Sequence, residues 1–202
     1  MRKTLHWFLY SSLLPILFHL IFRGKIFGRH HIPRSGRLIV AANHASYLDP
    51  PILAYTVARP ISFLAKFRLF QFPLLGLLLK LTGCEPVRDH GLQPSLLRRA
   101  TRRLLHGTVV AVFPTGTRTH SGDMSDAKDG VSYLSHITQT PVLPIAIVGT
   151  DVVLPKGKLL PKINPIEVRV AEIIQPPQNL DRASLKQHTA LICNVISRML
   201  NQ

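Results

Sequence analysis

The stretch RLIVAANHASYLDPP, residues 37–51, passes from an unbroken apolar run through a polar bend to a pair of prolines. The run 37–42 is short, apolar and bounded by turn-forming residues, which predicts a buried strand. Asp49 ahead of Pro50 and Pro51 reads as a helix N-cap with proline in the first turn, so residues 44–49 form the bend between strand and helix. His44 then lies just past the carboxyl end of a strand, where open α/β sheets carry their sites. In such a folded-back bend Asp49 can accept a hydrogen bond from the His44 imidazole and still cap the helix, because a carboxylate has lone pairs for both.

Outward from this unit the same alternation continues. TVVAVF (108–113) and VLPIAIVG (142–149) are further short apolar runs, and EVRVAEI (167–173) alternates like a partly exposed strand. SLLRRATRRLL (95–105) has helical spacing, and 181–200 places Leu191, Val195 and Met199 on one helical face. The proline-rich stretch LPKGKLLPKINP, 154–165, reads as a surface loop between strands. Together these predict a single α/β domain over 28–202, with a mixed, mostly parallel sheet flanked by helices.

Residues 1–27 are of another kind. LHWFLYSSLLPILFHLIF, 5–22, is nearly all apolar and flanked by Arg2, Lys3, Arg23 and Lys25. As a helix it reaches about 27 Å, short of a hydrocarbon core of about 30 Å, and Ser11, Ser12, Pro15 and His19 leave a weakly polar stripe along it. The segment reads as a membrane-associated helix lying in one leaflet, with a short spanning helix as the alternative. No small-residue cleavage site follows it.

With 25 Lys and Arg against 10 Asp and Glu, the net charge of +15 calls for an acidic partner. Basic residues gather near the N-terminal segment, which suits anionic lipid. Arg98, Arg99, Arg102 and Arg103 form either a solvated helix face or a docking patch for an acidic protein. A nucleic-acid-binding protein would account for the charge but not for the apolar N-terminus, and no stacking or helix-turn-helix motif accompanies it. The two cysteines, Cys84 and Cys193, have no CxxC or Cys/His spacing, so neither a disulfide framework nor a zinc site is indicated.

A second candidate is FPTGTR, residues 113–118, directly after the apolar run 108–113. Gly116 permits a positive φ and close approach of an anion to the chain, Arg118 offers a planar fork for phosphate oxygens, and Thr117 adds a hydroxyl. Thr115 is neutral.

NHASYLDP resembles the NHxxxxD motif, and FPTGTRT the FPEGTRS motif, of the glycerolipid acyltransferases typified by lysophosphatidic acid acyltransferase. Residues 65–89, 127–158 and 167–174 resemble further blocks of that family, so the likeness spans roughly residues 28–176. The resemblance implies transfer of a fatty acyl group from a thioester of acyl-carrier protein or CoA to the free hydroxyl of a lysophospholipid, foremost lysophosphatidic acid. In that chemistry His44 is the general base and Asp49 orients it. Gly116 and Arg118, with Thr115 and Thr117, would bind the acceptor's phosphate side, and Lys66, Arg68 and Arg88 are the candidates for lining the same site. Neither a metal nor a further cofactor is implied, and the enzyme would work at the cytoplasmic face of a membrane, as a peripheral or monotopic protein.

Two departures from the family pattern stand out. Arg88 in VRDH lies one place early, and Thr115 occupies the position of a glutamate. The threonine is read as a shifted acceptor preference. The alternatives are a catalytically impaired homologue kept as a membrane-bound binding partner, or an engineered substitution in an ordinary enzyme.

Overall fold

The computed structural model describes residues 14–66, 84–87, 94–158 and 160–202. Strand β2, Leu38–Ala42, is the pivot of the fold, and every one of its residues is buried. Its side chains alternate between two cores. Leu38, Val40 and Ala42 join a cluster with helix α1, Asp49–Val57, whereas Ile39 and Ala41 join one on the opposite face. A continuous apolar run is what a strand covered on both faces requires.

The sheet has seven strands in the order β1-β7-β6-β2-β5-β3-β4 among the described residues. They are β1 Lys25–Phe27, β3 Ile61–Lys66, β4 Cys84–Val87, β5 Val109–Val112, β6 Val142–Val148 and β7 Glu167–Val170, together with β2. Neighbours pair in parallel except β6 with β7, which are antiparallel. Helix α1 covers one face; α2 Pro94–Leu105, α3 Gly130–Thr138 and α5 Arg182–Leu200 cover the other, and α4 Thr150–Val153 follows β6. The expected α/β domain with a mixed, mostly parallel sheet is therefore present.

Several local expectations shift. The strand expected over 167–173 ends at Val170, after which only Ile174 bridges back to Val142. On α5 the buried face is His188, Thr189, Ile192, Ile196 and Met199, while Leu191 is exposed. The true stripe begins with two polar residues, so its apolar part is offset from the expected one. His188 Nε2 is 3.0 Å from the Gln175 carbonyl and Nδ1 2.9 Å from the Ser132 hydroxyl on α3. Burial lowers the His188 pKa, against a smaller opposing effect of the Gln175 carbonyl.

Of the N-terminal segment, residues 14–21 form a short helical stretch that turns π-helical over Leu17–Ile21. Phe18 is buried against α1, and Lys25–Phe27 form β1, so the sheet begins inside the segment assigned to 1–27. Among the described residues no helix is long and apolar enough to cross a membrane.

Candidate active site

The register puts the carboxyl ends of β2, β5 and β6 on one rim, and both motifs lie there. At the end of β2 the Asn43 side chain acts as one more peptide group: its amide donates to the Ile147 carbonyl and accepts from the Ile147 N–H, each at 2.8 Å. His44 therefore follows a fixed point. Its carbonyl accepts from the Thr119 N–H at 2.8 Å, which staples the two motif loops together.

Asp49 is wholly buried, but it does not cap the helix as expected. The N-cap position is Leu48, and no side chain caps it. The prolines that suggested a cap remove the amides at 50 and 51, and the Ile52 N–H already bonds the Leu48 carbonyl at 3.1 Å. The carboxylate turns back into the bend instead. Oδ2 accepts from the Ala45 N–H, the Ser46 N–H and His44 Nδ1, all at 2.8 Å, and Oδ1 accepts from the Thr150 hydroxyl at 2.6 Å.

This geometry decides what the histidine can do. A carboxylate only accepts, so Nδ1 carries the proton and Nε2 is left basic; among the described residues Nε2 has no hydrogen-bond partner. The side chain is 16% exposed, and the ring stacks on Phe113 with centroids 4.1 Å apart and planes at 15°. The buried carboxylate thus fixes the ring's tautomer and orientation and leaves the Nε2 lone pair facing away from it.

The second loop closes through Gly116, whose N–H donates to the Phe113 carbonyl at 2.9 Å and whose φ of 69° suits glycine. Thr115 is buried, and its hydroxyl donates to the Thr117 carbonyl at 2.9 Å, so it braces the loop from within. Gly116 and Thr117 are exposed at the tip. The Arg118 guanidinium lies 3.7 Å from the Tyr47 ring centroid, and its Nη1 is buried with no hydrogen-bond partner among the described residues. An orphaned cationic donor seated over an aromatic ring suits an anionic oxygen from a ligand. Lys66 ends β3, while Arg68 and Arg88 lie outside the described residues.

Sequence reasoning missed Tyr47, Phe113 and Thr150. Tyr47 lies inside the first motif, so its position was a usable signal, whereas Thr150 is 101 residues from Asp49 and has none. Cys193 is no rival nucleophile: burial, aided by the Asp129 carboxylate, pushes its thiol up to about 11. A cavity of about 350 Å³ between Phe27, Glu167, Arg169 and Met199 lies at the β1–β7 edge and contains neither motif.

Comparison with known proteins matches residues 23–148 to the acyltransferase family model. A chloroplastic 1-acyl-sn-glycerol-3-phosphate acyltransferase of Brassica napus is 28% identical over 77% of this chain and 46% of its own length. The Bacillus subtilis 1-acyl-sn-glycerol-3-phosphate acyltransferase is 25% identical over 95% of this chain and 94% of its own. The chain spans about half the length of several curated relatives it matches. The crystal structure of the 1-acyl-sn-glycerophosphate (LPA) acyltransferase PlsC from Thermotoga maritima superposes with a TM-score of 0.78 at 25% identity, covering all of this chain and 82% of that one. With both motif loops on one rim of the sheet and a family match across most of that sheet, the chain belongs to the acyltransferase family.

Proposed function

We propose that this chain transfers a fatty acyl group from a CoA or acyl-carrier-protein thioester to the free hydroxyl of a lysophospholipid, with lysophosphatidic acid as acceptor and phosphatidic acid as product. The observation that carries this reading is the His44 imidazole tethered through Nδ1 to a fully buried Asp49, with Nε2 free of hydrogen-bond partners among the described residues. Nε2 takes the proton from the acceptor hydroxyl as its oxygen attacks the thioester carbonyl. The C–S bond then breaks, and the imidazolium returns the proton to the leaving thiolate. The direct attack needs no protein nucleophile, metal or further cofactor. Arg118, held on Tyr47, takes the acceptor phosphate.

The basic, apolar N-terminal segment holds the enzyme on the cytoplasmic face of a membrane, with anionic lipid as its partner. A shifted acceptor preference is the second reading, favoured by Thr115, whose hydroxyl is committed to the Thr117 carbonyl. Purified protein with labelled acyl-CoA and acyl-carrier-protein thioesters, assayed against a panel of lysophospholipids, tests both readings. His44→Ala should lose about a hundredfold or more in rate, and turnover near wild type in that variant refutes the mechanism.

A further inference from the structure

The two most exposed large apolar side chains among the described residues are Leu160, at 83%, and Ile163, at 80%. Both lie in the loop 154–165, which also presents Lys156, Lys158 and Lys162 to solvent and contains no acidic residue. Aliphatic tips interleaved with lysines, whose stems can lie along apolar matter while their ammonium groups stay in water, match the boundary between acyl chains and headgroups. No aromatic anchor of the kind that dominates protein interfaces accompanies them.

The base of the loop is firmly held. The Lys162 N–H donates to the Val153 carbonyl at 2.7 Å, and the Ser46 hydroxyl donates to the Leu154 carbonyl at 2.9 Å. The far end of the loop packs on the turn that precedes it: Gly149 has a φ of 89°, and a Cβ there would stand 2.3 Å from the Pro165 carbonyl oxygen. The Thr150 hydroxyl in the same turn holds Asp49. Loop and carboxylate therefore share one rigid support.

The position of the loop is equally specific. Val148 of β6 is in register with Glu167 of β7, and Glu167 with Lys25 of β1, so the loop and the N-terminal segment emerge on the same rim as His44. They are joined there through the residue that follows the loop, since the Ile166 N–H donates to the Phe22 carbonyl at 3.0 Å and the Lys25 N–H to the Ile166 carbonyl at 3.0 Å. Ile16 and Leu20 of that segment are also exposed.

We propose that residues 154–165 form a second lipid contact, with Leu160 and Ile163 entering an anionic leaflet and Lys156, Lys158 and Lys162 meeting its phosphates, so that the loop fixes the His44 site against the membrane surface. This deepens the membrane reading of the N-terminal segment. Its test uses no turnover, and so fails or succeeds separately from the acyl-transfer reading.

The full chain has one tryptophan, Trp7. In a Trp7→Phe background, Leu160→Trp places a lone reporter on the loop. Leu105→Trp places one at the exposed end of α2, on the opposite end of the sheet ahead of β5. Each is mixed with vesicles of phosphatidylcholine and phosphatidylglycerol carrying brominated acyl chains, and sedimentation confirms that the protein is bound. Strong quenching for Leu160→Trp and none for Leu105→Trp is expected. Adding Lys156→Gln, Lys158→Gln and Lys162→Gln should raise the lipid concentration for half-maximal quenching about tenfold or more. No quenching at position 160 in sedimented protein, or equal quenching at both positions, overturns the proposal. So does protection of the reporter by an acidic acyl-carrier protein with no response to vesicles, which would make the loop a protein-docking surface.

Discussion

Replacing Asp49 by asparagine separates its charge from its shape. The amide oxygen can stay where Oδ2 is and keep the Ala45, Ser46 and His44 donors, while the amide nitrogen faces Thr150, whose hydroxyl can turn to accept. What disappears is the negative charge. An imidazolium and a carboxylate with charge centres about 4 Å apart interact by about 4 kcal/mol at the effective dielectric of partly shielded protein sites. At about 1.4 kcal/mol per factor of ten, Asp49→Asn should lower kcat by about a thousandfold. Folding should survive, with Tm within about 4 °C of wild type, the shift that about 1 kcal/mol produces at this size. Asp49→Ala differs in kind. It leaves the Ala45 and Ser46 amides and the Thr150 hydroxyl buried without an acceptor, at about 1–3 kcal/mol each, against a total stability of about 5–15 kcal/mol. Single-turnover kinetics and thermal melts on the two variants make the comparison. Turnover of Asp49→Asn within about threefold of wild type refutes the electrostatic role, and a melt as low as that of Asp49→Ala refutes the isosteric argument.

Three further outcomes follow from neighbouring contacts. Tyr47→Leu removes the ring under Arg118, worth about 0.5–2 kcal/mol, and should raise the acceptor KM by about 2- to 30-fold with kcat retained; an unchanged KM for a phosphate-bearing acceptor contradicts this. Thr115→Glu sacrifices the brace to the Thr117 carbonyl and adds a negative charge to the loop that carries Arg118, whose Nη1 has no hydrogen-bond partner among the described residues, so the ratio of activities among acceptors should change while donor preference holds. Equal acceptor profiles in the two forms would make Thr115 a neutral replacement. His188 binds its proton more weakly folded than unfolded, so below about pH 6.5 the unfolded chain takes up a proton that the folded chain resists. Stability is then full above that pH and falls as the pH drops, by up to about 1.4 kcal/mol per unit. Urea titrations at pH 7.5 and 5.5 should show a smaller loss in His188→Gln, and equal losses would acquit His188.

How legible each part was follows from how local its cause is. The strand 37–42, the bend and the helix after it could be read because burial on both faces leaves an unbroken apolar run and the prolines mark a helix start. Strand β1 is only Lys25–Phe27, mostly exposed and held by β7 more than a hundred residues on, so nothing in KIF announces it. The pairing of His44 with Asp49 was legible from one motif, yet the direction of the carboxylate was not, because it depends on amides that prolines fail to supply and on Thr150 from a distant turn. Arg118 was legible as a cation, but its seat on Tyr47 is a contact between two loops.

Asn43 has a consequence for motion. Because its amide supplies both a donor and an acceptor to Ile147, the parallel ladder gains a rung beyond the last strand residue, made by a side chain while the main chain turns away. The imidazole that follows is thus mounted on the sheet, and its fast fluctuations should have the amplitude of a strand residue, with an order parameter near the rigid-backbone value of about 0.85. Asn43→Asp would set a carboxylate oxygen against the Ile147 carbonyl and dismount the ring without touching it.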